Sequence, residues 1–209
     1  MVLVRFLGNA CVELIGEKDH LIIDPAYIEP PQQGIKKVFI THEHSDHIDV
    51  EKTREICEKY CLDDETPEFY GPISVWRDVS SDITVVEPSD VVSLFNGKVS
   101  TYQNECWKSE VCVAYLIELD RKVILHSADS AKFSDSLRDL RIDIDCCFVA
   151  CFESNFEDYL KFIKILKPQL TLPYHFTAEK VENAKKLVAF LNDNDLESNF
   201  VAIGKGIEL

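Results

Sequence analysis

The spacing of short apolar runs constrains this chain more than any other feature. Val2–Leu7, Ala10–Ile15 and Leu21–Asp24 follow one another with only a Gly8-Asn9 turn and a polar Gly16–His20 stretch between them, which is hairpin spacing. Further strands are predicted at Lys37–Thr41, Thr84–Glu87, Val91–Phe95, Val99–Tyr102, Val111–Leu119 and Lys122–His126, with Asn96-Gly97 and Asp120-Arg121 as turns. Helices are predicted over Val50–Tyr60 and from Pro72 to Val79. From Ile144 the rhythm changes. A strand at Ile144–Phe152, a helix over Asn155–Leu166, a strand at Gln169–Tyr174, a helix over Ala178–Asn192 and a closing strand at Asn199–Ile203 alternate. Hairpins first and strand–helix alternation afterwards imply two packed sheets with helices outside, an α/β sandwich. At 209 residues the chain is expected to form one domain, 1–209.

Composition narrows the partners. Lys and Arg total 22 against 37 Asp and Glu, a formal charge of −15. Such a surface repels phosphate backbones and anionic lipid, so a small-molecule substrate is expected, and nucleic acid or membrane is not. The N-terminus shows no secretory leader and the longest apolar run is too short to span a bilayer, so the expected location is cytoplasmic. The eight cysteines are then expected as reduced thiols. Cys57 and Cys61 sit one helical turn apart and Cys146 and Cys147 are adjacent, and neither spacing is that of a paired zinc site.

The chemistry is concentrated in Thr41-His42-Glu43-His44-Ser45-Asp46-His47, which holds three of the six histidines. It follows directly on a predicted buried strand, where a rigid scaffold presents it. In an extended segment residues two apart point the same way, so His42 and His44 can address one ion. Asp46 and His47 then face another. Imidazole plus carboxylate suits Zn2+, and also Mn2+ or Fe2+. More candidate ligands stand where other strands end: Asp24 in Leu-Ile-Ile-Asp-Pro, His126 and Asp129 in His-Ser-Ala-Asp-Ser, and His175 in Leu-Pro-Tyr-His.

These four segments, in this order, resemble the metallo-β-lactamase-like metal-dependent hydrolases. The His-Ser-Ala-Asp-Ser segment is most similar to the branch containing ascorbate-6-phosphate lactonase. The resemblance implies a four-layer αββα sandwich with one or two zinc ions at the edge of the sheets. It implies that His42 and His44 bind the first metal, Asp46 and His47 the second, that Asp129 bridges them and that His175 completes the second site. Asp24 matches an aspartate that braces the His-rich loop. His126 matches a position near the site that is not ordinarily a ligand. It is assigned as a proton shuttle or substrate contact, with a packed strand histidine as the alternative.

One departure stands out. The family supplies a third histidine to the first metal from the loop that here reads Thr101-Tyr102-Gln103-Asn104-Glu105-Cys106-Trp107, which has none. Asn104, Glu105 or Cys106 are the candidate substitutes, although asparagine is a poor zinc ligand and cysteine unusual in a hydrolytic site. Ala128 stands where the family has glycine. The expected activity is hydrolysis of a small ester, lactone or phosphodiester, an anionic one being admissible, by a metal-activated hydroxide, with Asp46 orienting the nucleophile and returning its proton. The alternative is a degenerate member that binds metal or ligand without turnover. A nuclease of the same fold would need a basic groove, which the overall charge opposes.

Overall fold

The computed structural model describes residues 1–62, 65–76 and 83–209. Six strands come from the first part of the chain: β1 (Leu3–Gly8), β2 (Cys11–Ile15), β3 (His20–Ile23), β4 (Lys37–Phe39), β5 (Glu68–Gly71) and β6 (Ile83–Val85). Six more follow: β7 (Val91–Leu94), β8 (Gly97–Asn104), β9 (Cys112–Leu119), β10 (Lys122–His126), β11 (Cys146–Ala150) and β12 (Leu170–Tyr174). β13 (Lys205–Glu208) closes the chain. One sheet runs β13-β1-β2-β3-β4-β5-β6 and the other β12-β11-β10-β9-β8-β7. Hairpin neighbours pair antiparallel, whereas β3 to β6 and β10 to β12 pair in parallel because longer connections carry the chain back to the same end.

Strand periodicity separates the layers. In the first sheet Leu21, Ile23, Phe39 and Tyr70 face the core between the sheets, while Ile22, Val38, Ile40 and Phe69 join a second cluster with Ile48 and Ile56. That outer cluster lies under helix α1 (Val50–Glu55) and the π-helical stretch 56–60 that continues it. The second sheet is covered by α2 (Asp135–Arg138), α3 (Phe156–Leu166) and α4 (Val181–Asn192), with α4 against β12, α2 against β8, and Phe133 stacked on Phe162 of α3 at 3.6 Å. The result is the expected αββα order. Between the sheets Phe39 stacks on Tyr70 at 5.0 Å and meets Tyr115 of the opposite sheet at 5.3 Å. The buried Tyr115 hydroxyl donates across the same gap to the Ile40 carbonyl at 2.7 Å.

Two expectations are corrected. The closing strand is Lys205–Glu208, paired with β1, and Asn199–Ile203 is not a strand; only an isolated bridge joins Ser198 to Thr171. As an edge strand, β13 needs backbone pairing but little apolar content, so it carries no hydrophobic signal. After Pro72 the chain forms a 3-10 turn over Ile73–Val75, and the rest of the predicted helix to Val79 lies outside the described residues apart from Trp76. Strand β5, buried at Phe69 and Tyr70, had not been anticipated.

Phe39→Ala removes the ring that bridges the sheets and is expected to cost about 3–5 kcal/mol, read as a lower urea midpoint. A loss below about 1 kcal/mol would show that the surrounding side chains close the gap.

Candidate metal centre

Four strand ends at one edge of the sandwich deliver the candidate ligands. β3 runs into Asp24, β4 into Thr41–His47, β10 into Ser127–Asp129 and β12 into His175. Three of these residues turn sharply in the left-handed region: Asp24 (φ 55°), Ala128 (φ 52°) and His175 (φ 64°). Non-glycine residues rarely adopt it, and such strain concentrates where function requires a fixed side-chain direction. The backbone at Ala128 also explains why glycine suits that position.

Asp24 organises the cluster from beneath. It is fully buried. Its Oδ1 accepts from the Thr41 N–H at 2.7 Å, and its Oδ2 accepts from the Thr41 hydroxyl at 2.9 Å and lies 2.7 Å from His47 Nδ1. With Nδ1 donating to the carboxylate, Nε2 of His47 is left as a lone-pair donor facing the centre. Thr41 Oγ1 also lies 2.9 Å from His42 Nδ1, which orients that ring in turn. Just beyond the cluster, Asp49 caps α1 by accepting from the Glu51 and Lys52 N–H groups, which fixes where the loop ends.

The donors converge. Ligand atoms of His42, His47 and Asp129 lie within 4.8 Å of one another, as do those of Asp46, His47 and His175. Metal–nitrogen bonds of about 2.0–2.1 Å place tetrahedral donors roughly 3.4 Å apart, so small side-chain adjustments suffice. Nε2 of His47 lies 3.0 Å from Asp129 Oδ2, and Nε2 of His175 lies 3.2 Å from both Asp129 Oδ2 and Asp46 Oδ2. Yet both nitrogens are buried and lack a hydrogen-bond partner among the described residues. Buried nitrogens aimed at a common point among carboxylates fit a divalent cation.

The charges reinforce one another. Burial alone would depress the pKa of His47, but the carboxylates of Asp129 and Asp24 outweigh it and hold it well above the ordinary imidazole range. Burial likewise opposes protonation of His175, and the Asp129 and Asp46 carboxylates raise it to about 9. The His175 ring holds Asp46 down at about 2. Burial would raise Asp129, but His47 and His175 keep it well below the carboxylate range. His42 is lowered to about 3, by burial and then by the neighbouring His47. Protons on His47 and His175 thus take the place that a cation would occupy electrostatically.

Other expected residues fall differently. His44 faces the cleft but turns its Nδ1 onto His42 Nε2 at 3.1 Å, and it joins neither group of convergent donors. His126 does not reach the cleft. It is fully buried, packs 4.6 Å from the Tyr174 ring, and is lowered to about 4 by burial. Asn104 is buried and its amide donates to the Ser127 carbonyl at 2.6 Å. Glu105 is exposed and lines a different groove beside Lys132, because alternation along the strand carries it to the other side. The expectation of reduced thiols fails at one pair: Cys106 and Cys112 form a disulfide, since the β8–β9 hairpin brings their Cα atoms to 5.8 Å. One ligand atom each of His42, Cys106 and Cys112 lie within 4.8 Å of one another. Thr41 and Cys112 were not anticipated, although Thr41 adjoins the histidine cluster and Cys112 opens the next strand.

Above the donors lies a cleft of about 660 Å³. Trp107 and Phe152 give it apolar walls, and Lys180 brings its cation. No helix among the described residues is long and apolar enough to cross a membrane.

Two stacked sheets with histidines and aspartates gathered at one edge define a metal-centre sandwich. The chain belongs to the β-lactamase superfamily domain family, matched over residues 4–179. It is 30% identical to a metal-dependent hydrolase of Thermococcus onnurineus, covering 90% of this chain and 92% of that one. A metal-dependent hydrolase of Nanoarchaeum equitans is 25% identical, with 83% of each chain covered. Among solved structures, the metallo-β-lactamase fold protein YhfI of Bacillus subtilis superposes with a TM-score of 0.77 at 14% identity over 100% of both chains. The diiron β-hydroxylase CmlA of Streptomyces venezuelae shares the fold at TM-score 0.77 and 14% identity, covering 100% of this chain and 54% of that one.

Asp24→Asn removes the acceptor that orients His47 and is expected to weaken metal binding about 10–100-fold, measured by competition with a chromogenic chelator. Unchanged affinity would show that the ring needs no brace. In metal-free protein the His175 contribution to stability is complete below its ordinary pKa of 6.5 and is lost as pH rises through about 9. The urea midpoint of chelator-treated protein should therefore fall over that interval, and a flat or rising midpoint contradicts the assignment.

Proposed function

We propose that this chain is a metal-dependent hydrolase that cleaves a small, anionic ester, lactone or phosphodiester. The observation that carries this reading is the convergence of Asp46, His47, Asp129 and His175 at the floor of an open cleft. The Thermococcus and Nanoarchaeum relatives are metal-dependent hydrolases, which supports hydrolysis here. His47, His175, Asp46 and Asp129 would hold a zinc ion, with manganese or iron(II) compatible with the same nitrogen and oxygen donors. A divalent ion there supplies Lewis-acid polarisation of a carbonyl or phosphoryl oxygen and lowers the pKa of water.

The remaining steps belong to the protein's own groups. Asp46 is the exposed member, its side chain 49% accessible at the cleft rim, and its carboxylate is ionised throughout the neutral range. It accepts a proton from the attacking water and returns it to the leaving oxygen. Lys180 attracts the anionic group of the substrate, and it counters the negative field of a chain with net charge −15. Trp107 and Phe152 pack the apolar part and displace water from the reacting bond. Asp24 keeps the His47 ring from rotating.

One observation favours the second reading, a degenerate binder without turnover. The disulfide withdraws the two sulfur donors near His42, leaving the first metal position without a third ligand from that loop among the described residues.

Bis-p-nitrophenyl phosphate and p-nitrophenyl esters are the substrates to test on zinc- and manganese-loaded protein. Turnover should disappear in Asp129→Asn and His47→Ala, and Lys180→Ala should raise KM for an anionic substrate about tenfold with kcat nearly unchanged, as expected for one charge-assisted contact of roughly 1.5 kcal/mol. Absence of turnover with every metal and substrate, in protein that retains its ion, would establish the binder instead.

A further inference from the structure

The unusual element of the centre is the sulfur pair beside His42. Cys106 and Cys112 are six residues apart, at the mouth of the loop between β8 and β9, and a ligand atom of each lies within 4.8 Å of one on the fully buried His42. A purely structural staple is a poor account of this bond. Asn104 and Cys112 already face each other in an antiparallel register that continues unbroken to Gly97 and Leu119, so the sheet closes the loop without sulfur. Cross-links across so short a loop restrain the unfolded chain least.

The loop is also held in place by bonds that do not depend on the disulfide. Glu43, from within the histidine cluster, accepts from the Glu110 N–H at 2.6 Å and from the Ser109 hydroxyl at 3.0 Å. The Val113 N–H donates to the Thr41 carbonyl at 3.1 Å. After reduction, both sulfurs would therefore remain beside His42. Cys106 is half-buried and its neighbour Trp107 is 77% exposed, so the Cys106 end of the bond lies near the surface. By contrast Cys11, Cys146, Cys147 and Cys151 are buried thiols within the two apolar clusters.

We propose that Cys106 and Cys112 are a redox-gated ligand pair: as thiolates they join His42 in holding a thiophilic divalent cation beside the His47–Asp129–His175 centre, and as a disulfide they release it. The inference rests on the reading that the neighbouring centre holds an ion of its own. Two sulfurs and one imidazole form a soft donor set that suits zinc, distinct from the harder nitrogen and oxygen set next to it. In the reducing direction a dithiol supplies two electrons and two protons. The Cys106–Cys112 S–S bond breaks, both residues become thiols, and the dithiol becomes a cyclic disulfide. Cation binding then releases the two thiol protons to solvent. Oxidation of the bound thiolates by a disulfide of the same class reverses the exchange and frees the cation.

The test loads chelator-stripped full-length protein with Co2+, either after reduction with tris(carboxyethyl)phosphine or after oxidation, and reads stoichiometry by elemental analysis together with the near-ultraviolet thiolate-to-cobalt charge-transfer band. Reduced protein should hold two ions per chain and show the band. Oxidised protein should hold one and lack it. Cys106→Ser and Cys112→Ser, made singly, should each lose the band in reduced protein while keeping the first ion, which also shows that the variant is folded. Two ions in both redox states, or a band that survives either substitution, overturns the proposal. One ion in both states overturns it while leaving the hydrolase reading intact. No ion in either state overturns both.

Discussion

The buried carboxylate of Asp24 is the contact on which the centre depends. It sits at the end of β3, accepts from Thr41 at the end of β4, and reaches His47 six residues further on. One side chain thus fixes the start of the histidine cluster, the tautomer of its last imidazole and the spacing of two parallel strands. A buried carboxylate without partners is prohibitively unfavourable, so its bonds to Thr41 and His47 fold the loop as much as they orient it. The left-handed backbone at Asp24 is tolerated because this network determines the turn several times over.

The sandwich converts that local order into a site. Phe39 and Tyr115 lock the two sheets against each other just below the centre, and the Tyr115 hydroxyl ties the second sheet to the Ile40 carbonyl in the strand leading to His42. Candidate ligands that follow β10 and β12 therefore meet those that follow β4, braced by Asp24 at the end of β3, at a distance set by core packing. The same arrangement gathers negative charge at the sheet edge, which only protonated imidazoles or a cation can balance.

Sequence made some of this legible. The dense spacing of His42, His44, Asp46 and His47 marks a candidate ligand loop, and alternating hydrophobicity declares two sheets. Asp129 and His175 could be identified only in the company of the other segments, since a single strand-end aspartate or histidine is ordinary. What stayed hidden depended on register. Glu105 and Cys106 are neighbours, yet strand alternation sends one to a remote groove and the other to His42. Cys112 becomes the partner of Cys106 only once β8 and β9 are paired residue by residue. Edge strand β13 carries no apolar pattern, and Trp107, Phe152 and Lys180 come together from separate loops.

The burial of His126 has an effect at low pH. Its ring lies against Tyr174, whose hydroxyl donates to Asp129 Oδ1 at 3.3 Å, so a neutral imidazole supports the Asp129 carboxylate from behind. The folded protein resists protonating it until about pH 4, whereas in the unfolded chain it gains a proton near 6.5. Acidification through that window therefore favours the unfolded chain. The packing around this side chain, which never meets solvent, is therefore one contribution to unfolding in acid.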